Sequence, residues 1–114
     1  MKRGTIVLTR FPFTDLSANK RRPAIVVSRD SKNSVDVIAA FITSVIPDKF
    51  SSTDLLFNTN RRDFHKSGLL KSSVIKLDKL ATLNKTIFSG ELGSVSETTL
   101  LEINKRLKTA LALK

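Results

Sequence analysis

Five short runs of β-branched and apolar residues are the feature that most constrains the fold of this chain. Each run is bounded by Ser, Asn, Asp, Gly or Pro, as is typical of short strands separated by turns. The predicted strands cover residues 5–9, 24–28, 35–43, 53–57 and 73–77. The third run is apolar almost throughout, which favours a strand buried on both faces or curling across the centre of a barrel. The pattern predicts a compact β-barrel or a strongly bent sheet.

The last part of the chain has helical periodicity instead. Residues 94–97, Ser-Val-Ser-Glu, have the form of a capping box in which Ser94 and Glu97 satisfy each other's backbone amides. The apolar residues that follow have the spacing of one helix face, and they are Leu100, Ile103, Leu107, Ala110 and Leu111. The sequence therefore predicts a mainly β fold with a C-terminal helix that covers the barrel, and loops over residues 44–52 and 58–67.

Length and composition narrow the class of protein. A chain of 114 residues is about the size of one domain, so one domain over residues 1–114 is expected. There is no cysteine, which excludes a disulfide framework, a thiolate metal site and a cysteine nucleophile. The first residues contain no apolar run long enough for a signal peptide or a membrane span. We expect a cytoplasmic protein with no membrane contact.

The charge points to a polyanionic partner. The formal net charge is +10, and a strongly basic chain of this size commonly binds nucleic acid. Residues 1–32 hold eight basic side chains against two carboxylates, so they carry +6 of that total. The first two strands and the loop between them are therefore expected to form most of the basic surface.

Two pairs of residues stand where predicted strands begin or end. Pro23 fixes its own φ and keeps Arg22 extended, which restricts the direction in which the Arg22 side chain leaves the backbone. Thr43 and Ser44 end the third strand with two hydroxyls. If these strand ends meet at one rim of the barrel, a guanidinium and a hydroxyl pair converge there, and that combination suits a phosphodiester.

Each of these features has an ordinary structural explanation as well. A Lys-Arg-Arg sequence, residues 20–22, is by itself more typical of a solvated turn, and Thr43 and Ser44 are by themselves more typical of β propensity and turn chemistry. Phe11 and Phe13 flank Pro12 and either stack on unpaired bases or pack in the core. With seven phenylalanines as its only aromatic residues, the chain is expected to bury most of them.

The sequence indicates no metal ion and no cofactor. His65 is the only histidine, which excludes a two-histidine ribonuclease arrangement. The ten carboxylates lack the spacing of a hard-metal or zinc site, and no P-loop, dinucleotide or nucleophile-elbow motif occurs. Any phosphodiester chemistry is therefore expected to be independent of metal.

Taken together, the segments resemble the MazF/PemK family of toxins from bacterial toxin-antitoxin pairs. The resemblance lies in residues 4–15, 22–28 (Arg-Pro-Ala-Ile-Val-Val-Ser), 38–44 and 68–83, and with the C-terminal helix it covers nearly the whole chain. It implies a small SH3-like barrel, commonly a homodimer, that cleaves single-stranded RNA at short sequences without a metal. The products implied are a cyclic phosphate and a 5′-hydroxyl.

The resemblance also assigns residues and partners. It places the catalytic pair on Arg22 and Thr43, and a cognate antitoxin protein is implied as the partner that covers the basic groove. Sequence preference is implied for the loop of residues 14–21, which is shorter and poorer in glycine than in several family members. The candidate RNA-binding residues are Phe13, Thr14, Ser17, Lys20, Arg21 and Ser44.

Physical chemistry agrees with an electrostatic role for Arg22. Attack by a ribose 2′-hydroxyl builds negative charge on the phosphoryl oxygens, and a fixed guanidinium with a hydroxyl donor stabilises that charge most in the transition state. A guanidinium holds its proton too tightly to act easily as a base, so the general base is left unassigned. DNA lacks the 2′-hydroxyl, and we expect it to bind without being cut.

Two other functions remain open at the level of sequence. A related barrel fold occurs in toxins that poison DNA gyrase through protein contacts, and such an inhibitor would stay toxic without Arg22 or Thr43. A nucleic-acid-binding barrel without catalysis would explain the charge, and it predicts salt-dependent binding with no cleavage product.

Overall fold

The computed structural model describes residues 1–10, 20–30 and 32–114, and it confirms a mainly β fold with a C-terminal helix. The strands are β1 (Thr5–Thr9), β2 (Arg22–Val26), β3 (Asp36–Thr43), β4 (Asp54–Phe57), β5 (Ser73–Asn84) and β6 (Gly90–Ser94). The helices are α1 (Phe64–Ser67) and α2 (Glu97–Ala110), and a 3-10 turn at Lys85–Ile87 joins β5 to β6.

The six strands form one antiparallel sheet in the order β4-β5-β3-β2-β1-β6. Between β3 and β5 the pairing moves from Ala40 with Leu80 to Phe41 with Lys76, so three residues of β5 have no partner there. Such a bulge bends and twists a sheet. Among the described residues no ladder joins β4 to β6, so the predicted barrel is a curled half-barrel.

Helix α1 follows β4 in the chain and packs against β6 through backbone atoms. A Cβ added at Gly93 would lie 2.1 Å from the Lys66 carbonyl oxygen. Gly68 ends α1 with a φ of +76°, and a Cβ there would lie 2.0 Å from the Leu92 carbonyl oxygen. Glycine is required at both positions because a side chain has no room.

The alternation of side chains along the strands gives the sheet two apolar faces. On one face Ile6, Ile25 and Ile42 join the cluster that α2 covers through Ile103. On the other face lies a smaller cluster, made of Val7, Ala24, Val26, Val37, Ala39 and Leu83. Period-two alternation explains how successive residues of β1 and β2 enter different clusters.

The bounds of two predicted strands need correction, and the structure adds a strand that was not predicted. β2 begins at Arg22 and ends at Val26, so it lies two residues earlier than predicted, because the extended conformation imposed by Pro23 also suits a strand. β5 continues to Asn84 instead of ending at Leu77, since the charged residues at the bulge interrupt its apolar pattern. β6 was not predicted, because two of its five residues are glycines, which are poor strand formers.

The burial of β3 and the start of α2 also differ from the prediction. The strand begins at Asp36, and Ile38 is 41% exposed, so its first half is not buried on both faces. The cap of α2 is Ser96, whose hydroxyl accepts a hydrogen bond from the Thr99 amide at 3.3 Å. A capping box starting at Ser94 is wrong because Ser94 is still part of β6.

Other predictions hold in part. Ile103 is fully buried, and Leu100 and Leu107 pack against the same cluster, so α2 covers the sheet as predicted. Leu111 lies beyond the end of the helix and is mostly exposed. Two phenylalanines, Phe57 and Phe64, are buried and stack on each other, whereas Phe50 is exposed. The predicted loop 58–67 contains α1.

Candidate functional site

The start of β2 and the end of β3 border a pocket of about 640 Å³. Its polar lining comes from Arg21, Arg22, Thr43, Ser44 and Ser73. Much of its wall is apolar and comes from Leu8, Pro23, Val45, Leu69, Leu70 and Leu92. Cations, hydroxyls and apolar surface therefore share one concave site, as in most pockets that bind small molecules or parts of larger ones.

The register of the sheet explains why Arg22 and Thr43 share this pocket. β2 and β3 pair with Ala24 opposite Phe41, and continuing that antiparallel register by two residues puts Arg22 opposite Thr43. On the other side of β2, Arg22 pairs with Thr9 of β1. Opposite side chains of antiparallel strands lie on the same face, so a threonine neighbours Arg22 on each adjacent strand.

The Arg22 side chain is half-buried, and no other residue in the described part of the chain forms an ion pair with it. The next residue, Pro23, has no amide hydrogen, and the β2–β3 pairs run only as far as Ala24. The charge at the pocket is therefore held by a rigid strand end and is available to an anion.

The Thr43 hydroxyl is held by the turn that follows β3. Its Oγ1 accepts a hydrogen bond from the Val45 amide at 3.1 Å, and the side chain is half-buried. A hydroxyl that accepts from a backbone amide keeps its own hydrogen for donation. Thr43 can therefore offer an oriented O–H to a ligand in the pocket.

The other predicted RNA-binding residues fall into two groups. Arg21 and Ser44 line the pocket and are exposed, whereas Lys20 is exposed but does not line it. The remaining candidates lie outside the described residues, and they are Phe13, Thr14 and Ser17, together with Phe11.

Sequence reasoning missed one whole wall of the pocket. Leu69 and Leu70 come from the connection between α1 and β5, Ser73 is the first residue of β5, and Leu92 comes from β6. Ser73 is buried and its hydroxyl donates to the Lys71 carbonyl at 2.9 Å. The only local hint of this wall was an apolar pair directly after Gly68, between the predicted loop 58–67 and the predicted strand 73–77.

A separate charged cluster lies at the start of α2. Asp63 is buried, and its Oδ2 accepts from the Ser96 amide at 2.8 Å and from the Thr99 hydroxyl at 2.7 Å. Burial raises the pKa of Asp63, but these hydrogen bonds outweigh it and hold the pKa below the usual value. Arg61 pairs with both Asp63 and Glu102. The cluster connects the 58–67 segment to α2.

Residues that suit a metal ion are not gathered in the described part of the chain. No three His, Cys, Asp or Glu side chains there lie close enough to hold an ion, and His65 is exposed on α1. No helix among the described residues is long and apolar enough to cross a membrane.

A curled antiparallel sheet crossed by a C-terminal helix, with a basic pocket at the ends of β2 and β3, defines a small MazF-like barrel protein. The model of the family described as PemK-like, MazF-like toxin of type II toxin-antitoxin system matches residues 2–111. The chain belongs to this family. Comparison with curated protein sequences finds no significant match.

Solved structures share this fold over nearly the whole chain. An endoribonuclease in complex with its cognate antitoxin, from a mycobacterial species, is 22% identical with a TM-score of 0.77, covering 100% of this chain and 97% of that one. A second mycobacterial endoribonuclease is 24% identical with a TM-score of 0.75, covering 99% and 92%. A MazE-MazF structure from Deinococcus radiodurans is 20% identical with a TM-score of 0.74, covering 100% and 97%.

Proposed function

We propose that this protein is the toxin of a toxin-antitoxin pair and acts as a metal-independent endoribonuclease on single-stranded RNA. Family membership supports the toxin role, and two proteins of the same fold are described as endoribonucleases. The observation that carries the proposal is that Arg22 and Thr43 both line one pocket of a protein with a net charge of +10.

The proposed reaction is attack of a ribose 2′-hydroxyl on the adjacent phosphorus. The 2′-hydroxyl loses its proton as its oxygen bonds to phosphorus, and the bond from phosphorus to the 5′-oxygen breaks. The leaving 5′-oxygen takes up a proton, so the products are a cyclic phosphate and a 5′-hydroxyl. Arg22 stabilises the charge that grows on the phosphoryl oxygens, and the Thr43 hydroxyl donates a hydrogen bond to one of them. The described pocket lining includes no carboxylate and no imidazole, so the group that removes the 2′-proton is not assigned.

The proposal includes the partners that the family implies. A cognate antitoxin protein would bind the chain, as the mycobacterial relative solved with its antitoxin supports, and it would cover the basic pocket. The chain would act in the cytoplasm as a homodimer. A net charge of +10 would draw both RNA and an acidic antitoxin segment to the same surface.

The test is cleavage of a long unstructured RNA in excess chelator, with the fragment ends mapped. We expect discrete cuts with cyclic phosphate ends, and a loss of roughly 100-fold or more in Arg22→Ala and Thr43→Ala. Arg29→Ala and Thr82→Ala are matched controls because both side chains are exposed and neither lines the pocket. Equal cleavage by all five proteins would contradict the roles of Arg22 and Thr43.

Intact RNA with wild-type protein would contradict the endoribonuclease itself. Growth arrest that persists in Arg22→Ala would then favour the gyrase inhibitor. Salt-dependent RNA binding without arrest would favour a binding barrel without catalysis.

A further inference from the structure

The two most exposed large apolar side chains in the described part of the chain are Leu70 and Val45, at 94% and 76%. They belong to separate segments, one after α1 and one after β3, and both line the pocket that holds Arg22 and Thr43. Apolar residues scattered singly over a surface are ordinary. The meeting of the two most exposed ones at the candidate active site is not explained by the fold.

Hydrogen bonds and close packing hold the backbone at or next to Leu70 and Val45 in place. Leu69, which precedes Leu70, is buried, and its amide donates to the Ser67 hydroxyl at 3.1 Å. Gly68, between Ser67 and Leu69 in the chain, packs directly on the backbone of Leu92. The Val45 amide donates to the Thr43 hydroxyl at 3.1 Å, so the position of Val45 is tied to the proposed catalytic group.

The side chains of Leu70 and Val45 suit one part of an RNA substrate better than the others. Leu70 and Val45 offer no charge and no hydrogen bond, so they do not bind a phosphate or a ribose hydroxyl. The face of a nucleobase is apolar and packs well between apolar side chains. Phe41 is the one aromatic side chain in the described lining of this pocket, so aliphatic side chains form most of its apolar surface.

We propose that Leu70 and Val45 form a subsite for a nucleobase next to the scissile phosphate, which we call the apolar shelf. The inference rests on the proposed ribonuclease function. Holding that base positions the phosphate between Arg22 and Thr43, so binding energy away from the reacting atoms supports the chemical step. Because every base has an apolar face, the shelf acts on cleavage rate and only weakly on base identity.

The experiment pairs shelf variants with substrates that lack one base. After the preferred cut of the wild-type protein is mapped, two short RNAs carry an abasic ribonucleotide directly 5′ or 3′ of that cut, which keeps the 2′-hydroxyl. Wild type, Leu70→Ser and Val45→Ser are compared by kcat/KM on each RNA. Leu101→Ser is the matched control, because Leu101 is 61% exposed on α2 and does not line the pocket.

We expect Leu70→Ser to lower kcat/KM about tenfold on the intact RNA, the lower end of base-stacking contributions. One of the two abasic RNAs should lower kcat/KM of the wild type by a similar factor. On that abasic RNA, kcat/KM of Leu70→Ser should be no lower than that of the wild type. Such non-additivity identifies contact between the side chain and the missing base. Leu101→Ser should cleave like the wild type, and all variants should keep the wild-type melting temperature.

Two outcomes overturn the apolar shelf. Equal cleavage of the intact RNA by Leu70→Ser, Val45→Ser and the wild type would do so, and so would additive losses on both abasic RNAs. In either case the wild type still cleaves and the ribonuclease function stands. Absence of cleavage by the wild type would instead overturn the proposed function and the shelf with it.

Discussion

Asp63, in the segment after β4, accepts a hydrogen bond through Oδ2 from the Thr99 hydroxyl on α2 at 2.7 Å. The same oxygen accepts from the Ser96 amide at 2.8 Å. A buried carboxylate thus stands at the helix N-terminus, where backbone amides lack intrahelical partners and the helix dipole favours negative charge. Asp63 is followed directly in the chain by α1 and then by Leu69 and Leu70, which line the pocket. The hydrogen bond therefore links α2 to the segment that builds one wall of the pocket.

Asp63→Asn should destabilise the protein. Asparagine keeps the shape but replaces a charged acceptor with a neutral amide, and its NH₂ group has no acceptor where the Ser96 and Thr99 donors converge. We expect a loss of about 1–3 kcal/mol in the free energy of unfolding, measured by urea denaturation. Asp48→Asn is the control, since Asp48 is exposed, and it should stay within about 0.5 kcal/mol of the wild type. Equal stability of the two variants would contradict this role of Asp63.

Stability should fall in acid, and Asp63 should contribute to the fall. Burial raises the pKa of Asp63, but the Ser96 and Thr99 hydrogen bonds outweigh it and hold that pKa below the usual 3.8. Burial also raises the pKa of Asp54, and there Lys76 and Ser51 outweigh it and lower the pKa. A carboxyl whose pKa is lower in the folded state than in the unfolded state stabilises the folded protein at pH values above the unfolded-state pKa. This stabilisation is lost as the pH falls through the folded-state pKa.

The measurement is urea denaturation between about pH 6 and pH 2. The curve of Asp63→Asn should be flatter than that of the wild type below about pH 4, because one of the responsible groups is missing. Parallel curves over this range would contradict the lowered pKa of Asp63.

The sequence predicted what short-range patterns encode. β1 is a continuous run of β-branched and apolar residues, and its bounds were predicted without error. β2 and β3 were placed within two residues. Arg22 and Thr43 could be named as candidates because each stands at a strand end that a proline or a turn marks. Their convergence follows from the antiparallel register of neighbouring strands.

The rest could not be predicted because it depends on long-range packing. The second half of β5 pairs with the first half of β3 on the far side of a bulge. β6 is held by its pairing with β1 and by the close approach of α1 to Gly93. Leu69 and Leu70 line the pocket because α1, which precedes them in the chain, packs on β6. No periodicity near residue 70 indicates that contact, so local patterns assigned residues 68–72 neither to a strand or helix nor to the pocket.

Gly68→Ala should disrupt this wall. A Cβ at residue 68 would lie 2.0 Å from the Leu92 carbonyl oxygen, and the φ of +76° is unfavourable for alanine. We expect a loss of more than about 1 kcal/mol in unfolding free energy, together with reduced RNA cleavage. Gly90→Ala is the matched control, because a Cβ there meets nothing within 4 Å. A stable, fully active Gly68→Ala protein would show that the close packing of α1 on β6 is wrong.

Substitutions of Thr43 should separate its hydroxyl from its shape. Thr43→Val keeps the branched side chain but removes the donor, and it also leaves the Val45 amide without its acceptor. We expect kcat to fall roughly 100-fold, the usual effect of deleting one transition-state donor. Thr43→Ser keeps the hydroxyl and should stay within about tenfold of the wild type. Similar rates for the serine and valine proteins would exclude hydrogen-bond donation by Thr43.

Arg22→Lys should separate charge from geometry. Lysine keeps the positive charge but lacks the planar fork that contacts two phosphoryl oxygens together. RNA binding to the lysine variant should keep the wild-type dependence on salt, whereas Arg22→Ala should lower the slope of log affinity against log salt by about one. Cleavage by the lysine variant should nevertheless fall roughly 100-fold, because the fork is needed where charge develops in the transition state. Cleavage close to the wild-type rate in Arg22→Lys would mean that Arg22 attracts RNA by its charge and contributes little to the chemical step.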